Sequence, residues 1–309
     1  MADEMKALVT GAAGFVGRHL VDHLRAAGDE VVTTDRTRGG ADLLDAAALD
    51  RELADASPEV VYHLAGQADV GGSWTDATGT LRVNAEGTLN LLSSARAHGV
   101  RRVVTVSSAD LYGIVGPEDL PLTEAAPLRP VSPYGASKAA ADLIALQAFL
   151  GHGQDVVRAR SFNHLGPGQS DRFVCSALAA RVAANERHGH DLVAVGNLEA
   201  RRDFTDVRDV VRAYRQLAVD GRPGEAYNVC TGRSSAVSEI ADRLLSMAER
   251  PMRLHPDPDL HRPTDLPELR GDPSRLRGDT GWVPEITLDT TLADLLDDWR
   301  QRLRERSPA

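Results

Sequence analysis

The chain is short of thiols, with two cysteines, Cys175 and Cys230, in 309 residues, far apart and without metal-ligand spacing. That argues against a disulfide framework or a cysteine-based metal centre, and no metal is expected; two buried or half-buried thiols in a reduced protein are. Positive charge is also scarce. Thirty-five Lys and Arg face 45 Asp and Glu, a net charge of −10 with a pI near 5.5. This balance argues against nucleic acid or an anionic membrane as the main partner, while local arginines can still meet an anionic substrate. No apolar run approaches membrane-spanning length, and the start, Met1-Ala-Asp-Glu-Met-Lys6, carries acids where a signal peptide carries bases. A cytoplasmic protein is the expectation. Internal repeats and low-complexity tracts are missing too. A hydrophobic content of 42% is enough for a full core, in one large domain or two coupled ones.

What is present is an alternation of short apolar runs and helical patterns. Strands are predicted at Lys6–Thr10, Glu30–Thr34, Glu59–His63, Arg102–Val106 and Asp155–Arg160. Helices fall between them at Phe15–Ala27, Leu81–His98, with Leu89, Leu92 and Ala95 on one face, and Tyr134–Leu150. Such alternation with short connections predicts an α/β fold, a doubly wound parallel sheet with helices on both faces. From Phe162 onward the pattern breaks up, and Pro251–Pro273 reads as loop. A smaller, loop-rich lobe is expected there. Residues 1–165 form the sheet domain, to which segments near 205–250 return, among them a helix Asp206–Val219 and a strand Tyr227–Cys230. Residues 166–204 and 251–309 form the second lobe, closed by an amphipathic helix Leu288–Leu303.

Thr10-Gly-Ala-Ala-Gly-Phe-Val-Gly17 follows the first strand and opens a helix. Gly11 permits the tight turn, Gly14 lets backbone approach a pyrophosphate, and Gly17 allows close packing of helix on strand. The helix N-terminus offers free N–H groups and a positive dipole end to the phosphates. In its strand–turn–helix context this is a dinucleotide fingerprint. Asp35 ends the second strand, where an acid binds ribose hydroxyls and repels a 2′-phosphate, favouring NAD with NADP still possible. Arg36 next to it either offsets that repulsion or is a surface charge. Asp42 either meets the adenine amino group or caps a helix.

Tyr134 and Lys138 stand four apart at the start of a helix and share a face. An ammonium beside a phenol lowers the phenol pKa, and such a pair exchanges a proton with a sugar hydroxyl. Ser108, just after the fourth strand, supplies a hydroxyl to the same oxygen. Both segments come to the carboxyl ends of the strands, where parallel sheets bind ligands.

Gly11-Ala-Ala-Gly-Phe-Val-Gly17, His63-Leu-Ala-Gly66, Ser107-Ser-Ala-Asp-Leu-Tyr-Gly113 and Ser132-Pro-Tyr-Gly-Ala-Ser-Lys138 together resemble the extended short-chain dehydrogenase/reductase family. Its members are nucleotide-sugar epimerases, dehydratases and reductases, and the resemblance covers essentially the whole chain. It implies a Rossmann-type sheet in which Ser108 bonds the reacting oxygen, Tyr134 is the acid/base and Lys138 holds the nicotinamide ribose. It also implies cofactor contacts along Phe15, Val16, Leu43, Leu64, Ala65, Gly66 and Asn84. Asn84 has an alternative, bonding nearby backbone. In the second lobe it implies substrate contacts at Gln67, Asn163 and Asn197, and diphosphate-binding arginines at Arg202 and Arg262. Planar guanidinium groups suit phosphate oxygens, although for either arginine alone a surface ion pair is the default.

Within the family, Leu64–Trp74, Phe162–Gln169, Val195–Glu199, Arg262–Pro267 and Gly271–Ser274 are most similar to the branch that reduces the 4-ketone of a GDP-linked 6-deoxyhexose. The dehydratases need a carboxylic group after the serine or threonine. Here the first following residue is Ala109, and the second is Asp110, one methylene shorter than their glutamate. A ketoreductase is therefore expected ahead of an epimerase or a dehydratase. A cofactor-binding regulatory protein on the same fold usually lacks the tyrosine or lysine; both are intact here. The resemblance further implies a homodimer through the helices around Ala85–His98 and Ala136–Leu150.

Overall fold

The computed structural model describes residues 4–260 and 266–305. In chain order the first half runs β1 (Lys6–Thr10), α1 (Phe15–Ala26), β2 (Glu30–Thr34), α2 (Ala46–Ala56), β3 (Val60–His63), α3 (Ala77–Leu81), α4 (Gly87–Ala97), β4 (Arg102–Ser108), α5 (Pro133–His152) and β5 (Val156–Ser161). The second half adds β6 (Asn163–Leu165), α6 (Val174–His188), β7 (Leu192–Val195), β8 (Arg201–Asp206), α7 (Val207–Asp220), β9 (Ala226–Val229) and β10 (Ser234–Ala236). It ends with α8 (Val237–Ser246), β11 (Arg253–Pro256), β12 (Glu268–Leu269), α9 (Ser274–Thr280) and α10 (Leu288–Glu305).

Six strands form one parallel sheet in the order β2-β1-β3-β4-β5-β9. Successive side chains point to opposite faces, and each face has its own core. Ala7, Val9, Val60, Tyr62, Val104 and Val157 meet Leu20 and Leu24 of α1 and Val210, Tyr214 and Leu217 of α7. Leu8, Val61, Val103 and Val156 meet Leu49 and Leu53 of α2, Leu91 and Leu92 of α4, and Ala145 and Ala148 of α5. The sheet is therefore the expected Rossmann-like, doubly wound one. β1 and β3 stay paired to their last residues, Thr10 and His63, and the segments that follow them leave to opposite sides, the usual ligand position in such sheets.

The second lobe is built on β8, which pairs with β10 antiparallel and with β6 and β12 in parallel, while β7 pairs with β11. Its core packs Leu178 and Val182 of α6, Ile240 and Leu244 of α8, and Leu292, Leu295 and Trp299 of α10. It holds more regular structure than its glycine and proline content suggests. The division of the chain also shifts at two places. α8, expected to return to the sheet, belongs to this second core. Leu276 of α9 and Trp282, expected in the second lobe, pack into the α1–α7 face of the sheet, where the Trp282 indole donates to the Asp209 carbonyl at 3.0 Å. Among the described residues no helix is long and apolar enough to cross a membrane, and no group of three side chains is arranged to hold a metal.

Candidate active site

The glycine loop leaves β1 in a turn that only glycine fits. Gly11 has φ +69°, and a Cβ there would lie 2.8 Å from the Ala65 amide nitrogen. A Cβ at Gly17 would stand 2.2 Å from the Gly11 carbonyl oxygen, so α1 approaches the loop as closely as backbone allows. Gly14 caps α1 with no side-chain partner and no acid in the first turn, leaving its amides for an anion. The side chains of the next two residues turn away. Phe15 stacks on His164 with ring centroids 6.2 Å apart, and Val16 packs on the sheet core, so both are placed to serve a cofactor through backbone. Leu64 packs on the same core, and Leu43 is buried on the opposite face against Gly87. The cradle has the shape and the free donors that a dinucleotide pyrophosphate requires.

Asp35 follows β2 and ties it to the glycine loop. Its Oδ2 accepts from the Ala13 amide at 3.0 Å, and its Oδ1 accepts from the Thr37 amide at 2.9 Å and hydroxyl at 2.6 Å. Partial burial opposes ionisation, but the bonds from Thr37 and Ala13 outweigh it and hold the carboxyl below its usual range. Arg36 is exposed and lies 3.6 Å from Asp42, whose other oxygen accepts the Leu44 amide at 2.9 Å.

The helix between Thr80 and Thr88 widens into one π turn over Arg82–Glu86, and this turn places Asn84. Its Oδ1 accepts the Gln67 amide at 2.8 Å, and its Nδ2 donates to the Gln67 carbonyl at 3.0 Å and to Ser137 at 2.8 Å. These bonds pin Ala65-Gly66-Gln67 beside α5. A Cβ on Gly66 would lie 3.7 Å from Lys138 Nζ, so this strip runs past the lysine. Gln67 donates Nε2 to the Asp69 carbonyl at 2.9 Å, while its buried Oε1 has no protein partner, an acceptor open to a ligand.

The triad sits at the mouth of the sheet. α5 is capped by Ser132, which accepts the Gly135 amide at 3.0 Å, and Pro133 fixes its first turn. Tyr134 is buried, with its amide donating to Ser73 Oγ at 3.2 Å. The Ser108 hydroxyl lies near enough to the Tyr134 phenol to pull its pKa down. Ser108 in turn donates to Asp110 Oδ2 at 3.2 Å and accepts the Asp110 amide at 3.2 Å. Burial and then the Asp110 charge push the Tyr134 pKa up, against the smaller downward pull of Ser108. Lys138 Nζ donates to the Val106 carbonyl at 3.0 Å, and burial lowers its pKa to about 8.

In the second lobe, Asn163 is exposed at the start of β6, paired with Phe204 two residues along β8 from Arg202. Arg202 donates Nη1 to the Arg201 and Leu266 carbonyls at 2.8 and 2.7 Å. Asn197 accepts the Glu199 amide at 2.9 Å in the β7–β8 connection. Arg262 lies outside the described residues.

Sequence reasoning missed Ser73, whose hydroxyl accepts the Tyr134 amide and donates to the Val70 carbonyl at 2.7 Å. A lone serine in a loop carries no periodic signal. It also left His63 without a role. His63 is buried and neutral, its pKa lowered to about 3 by burial and then by Lys138. Thr88 donates to the Asn84 carbonyl at 2.6 Å, which makes it the acceptor for His63 Nε2–H at 3.1 Å; Nδ1 then accepts from Thr10 at 3.0 Å. Thr10 accepts the Ala65 amide at 3.1 Å, so this chain ties the glycine-loop strand to the strip under Lys138.

With this geometry in view, residues 7–230 match the model of the NAD dependent epimerase/dehydratase family. The chain belongs to that family. It is an NAD(P)-dependent enzyme of the nucleotide-sugar epimerase, dehydratase and reductase group. It is 39% identical to the GDP-6-deoxy-D-mannose reductase of Pseudomonas aeruginosa, over 96% of this chain and 98% of that one. It is 32% identical to the UDP-glucose 4-epimerase of Mycolicibacterium smegmatis, over 96% and 99%. The fold is similar to the solved structure of RMD from Pseudomonas aeruginosa complexed with NADPH, with a TM-score of 0.88 at 37% identity, covering 96% of this chain and 99% of the other. The family binds NAD or NADP, and the uncapped first turn of α1 after the glycine loop suits an anion such as a pyrophosphate.

Proposed function

We propose that this enzyme reduces the 4-ketone of a GDP-linked 4-keto-6-deoxyhexose to the corresponding 6-deoxyhexose, consuming one NAD(P)H per turnover. One observation carries the reading: Tyr134 is buried close to Ser108, whose hydroxyl donates to Asp110 Oδ2 at 3.2 Å, and burial with the Asp110 charge raises the phenol pKa. A ketone reductase needs a proton donor at the carbonyl oxygen, and this environment keeps the proton on the phenol. Asp110 is also engaged with the serine hydroxyl at 3.2 Å, which suits an orienting role better than proton abstraction at carbon 5. The similarity to a GDP-6-deoxy-D-mannose reductase over nearly the full chain points the same way.

In this reading the bound nicotinamide supplies the hydride to carbon 4. Ser108 donates a hydrogen bond to the carbon-4 oxygen, Tyr134 delivers the proton to it, and Lys138 leaves the Val106 carbonyl to hold the nicotinamide ribose. Gln67 Oε1 accepts from a sugar hydroxyl, while Asn163, Asn197, Arg202 and Arg262 meet the sugar and diphosphate. Asp35 binds the adenosine ribose, which favours NADH over NADPH, and Asp42 the adenine. Two chains associate across α4 and α5, whose exposed Leu89, Leu143 and Leu150 find no partner within one copy; light scattering at micromolar concentration then gives twice the chain mass.

The test of the activity is to mix enzyme, excess NADH and GDP-4-keto-6-deoxymannose and follow the absorbance of NADH beside product analysis. Loss of NADH equal to the 6-deoxyhexose formed supports the proposal. Sugar conversion with no net NADH loss makes the enzyme an epimerase, and conversion of GDP-mannose itself makes it a dehydratase.

A further inference from the structure

A buried ionic network lies directly beneath the triad and has no role in binding or proton transfer. Tyr134, Lys138 and Asp142 recur every fourth residue along one face of α5. Asp142 is 1% exposed, yet its carboxylate takes both arginines that β5 presents on that side. Oδ2 accepts Arg158 Nη1 at 2.6 Å and Arg160 Nη2 at 2.7 Å, and Oδ1 accepts Arg160 Nε at 3.1 Å. A buried charge cluster of this kind is weak as a source of stability, since desolvation offsets much of the attraction, so its presence calls for another reason.

The second arm of Arg160 supplies one. Its Nη1 donates to the Tyr112 hydroxyl at 3.1 Å and to the Glu124 carbonyl at 2.9 Å. Tyr112 closes the short turn Ala109–Leu111 that follows Ser108, and donates its own proton to Asn228 Oδ1 at 2.6 Å. Burial pushes the Tyr112 pKa up to about 12, so the phenol keeps that proton. One guanidinium thus holds the helix bearing Tyr134 and Lys138 with one edge and the turn bearing Ser108 and Asp110 with the other. The two segments meet with no slack, because a Cβ on Gly135 would lie 2.7 Å from the Asp110 carbonyl oxygen.

We infer that Arg160, gripped by Asp142, is a positioning residue that sets the spacing between the serine turn and the tyrosine helix. The inference rests on the triad reading above. Arginine is required for it, because a lysine at 160 would reach Asp142 as a point charge but could not bond Asp142 and Tyr112 in one plane.

The experiment uses the full chain with NADH and GDP-4-keto-6-deoxymannose. Tyr112→Phe removes only the hydroxyl that joins Arg160 to the serine turn. Misplacing a catalytic group by a fraction of an ångström to about 1 Å costs on the order of 10- to 100-fold in rate. The expected result is a loss of that order in kcat with KM and NADH affinity within a factor of about two of wild type, and the same pattern in Arg160→Lys. Tyr227→Phe is the control, since that hydroxyl also makes two bonds, to the Arg222 amide and Asp279, away from the triad; its kcat should not move. Unchanged kcat in Tyr112→Phe overturns the inference. So does an equal loss in Tyr227→Phe, which would reduce the effect to general loosening. Tyr134→Phe run alongside separates the two levels: if it remains active the triad reading itself fails, whereas inactivity there with full activity in Tyr112→Phe sinks the positioning role alone.

Discussion

The two halves of the molecule are built to recognise ligands in different ways. In the sheet half the cradle is backbone: Gly11, Gly14 and Gly17 strip side chains away so that amides and a helix end face the ligand. In the second lobe the candidate contacts are side chains, Asn163, Asn197 and Arg202, carried on short strands and their connections. Backbone recognition needs glycine at fixed spacing and tolerates little change. Side-chain recognition on short strands can be rewritten one residue at a time, which suits the half that meets the sugar in the proposed function.

The largest expected effect lies between the halves. Tyr134→Phe should lower turnover by on the order of 10²–10⁴, with NADH binding intact by fluorescence titration. A variant keeping more than half the wild-type rate would break the assignment. Next, Arg202→Ala tests the second lobe by itself. Charge-assisted bonds contribute roughly 1.5–3 kcal/mol, so nucleotide-sugar affinity should fall roughly 10- to 150-fold while NADH affinity holds. Calorimetry showing both affinities moving together would mean that the halves are not separable recognition units.

Smaller effects probe the sheet half. Asp35→Ala removes both the proposed ribose acceptor and the tie to Ala13 and Thr37. The ratio of kcat/KM for NADH over NADPH should fall by about tenfold, the loss of one charge-assisted bond. A wild-type enzyme that already prefers NADPH strongly would show that Arg36 governs this corner. The smallest effect concerns stability. Burial lowers the Lys138 pKa from 10.5 to about 8. Below pH 8 the folded state carries this proton at a desolvation cost. Between pH 8 and 10.5 the unfolded chain binds more protons, so stability from this group rises with pH through that window. Lys138→Met should therefore be inactive, yet melt about 1–4 °C higher at pH 7, with the gap closing as pH rises toward 10.5. A lower melting temperature at pH 7 would contradict this.

The same contrast explains what was legible in the sequence. The parallel sheet could be read because β1, β3, β4 and β5 are short apolar runs with turn chemistry between them. Tyr134 and Lys138 could be singled out because a helix places residues four apart on one face, and Ser108 because it stands at the carboxyl end of the fourth strand. α6 and α8 were missed although Leu178 and Val182, and Ile240 and Leu244, keep helical spacing, because the surrounding glycines and prolines dominated the reading. Asp142, Arg158 and Arg160 carry no local pattern. Their pairing depends on β5 lying under α5, a fact of tertiary structure, as does the contact of Ser73 with the Tyr134 amide. Arg202 shows the limit of resemblance: its position was visible, but not its bonds to the Arg201 and Leu266 carbonyls.

The central claim is that hydride passes from solution cofactor to carbon 4 of the sugar and stays there. It is tested most directly with NADH deuterated at the transferable position of the nicotinamide ring, incubated with the enzyme and GDP-4-keto-6-deoxymannose. The account predicts one deuterium per 6-deoxyhexose, located at carbon 4 by NMR, with one NAD formed for each. A 6-deoxyhexose product without deuterium, or deuterium at any other carbon, would contradict it.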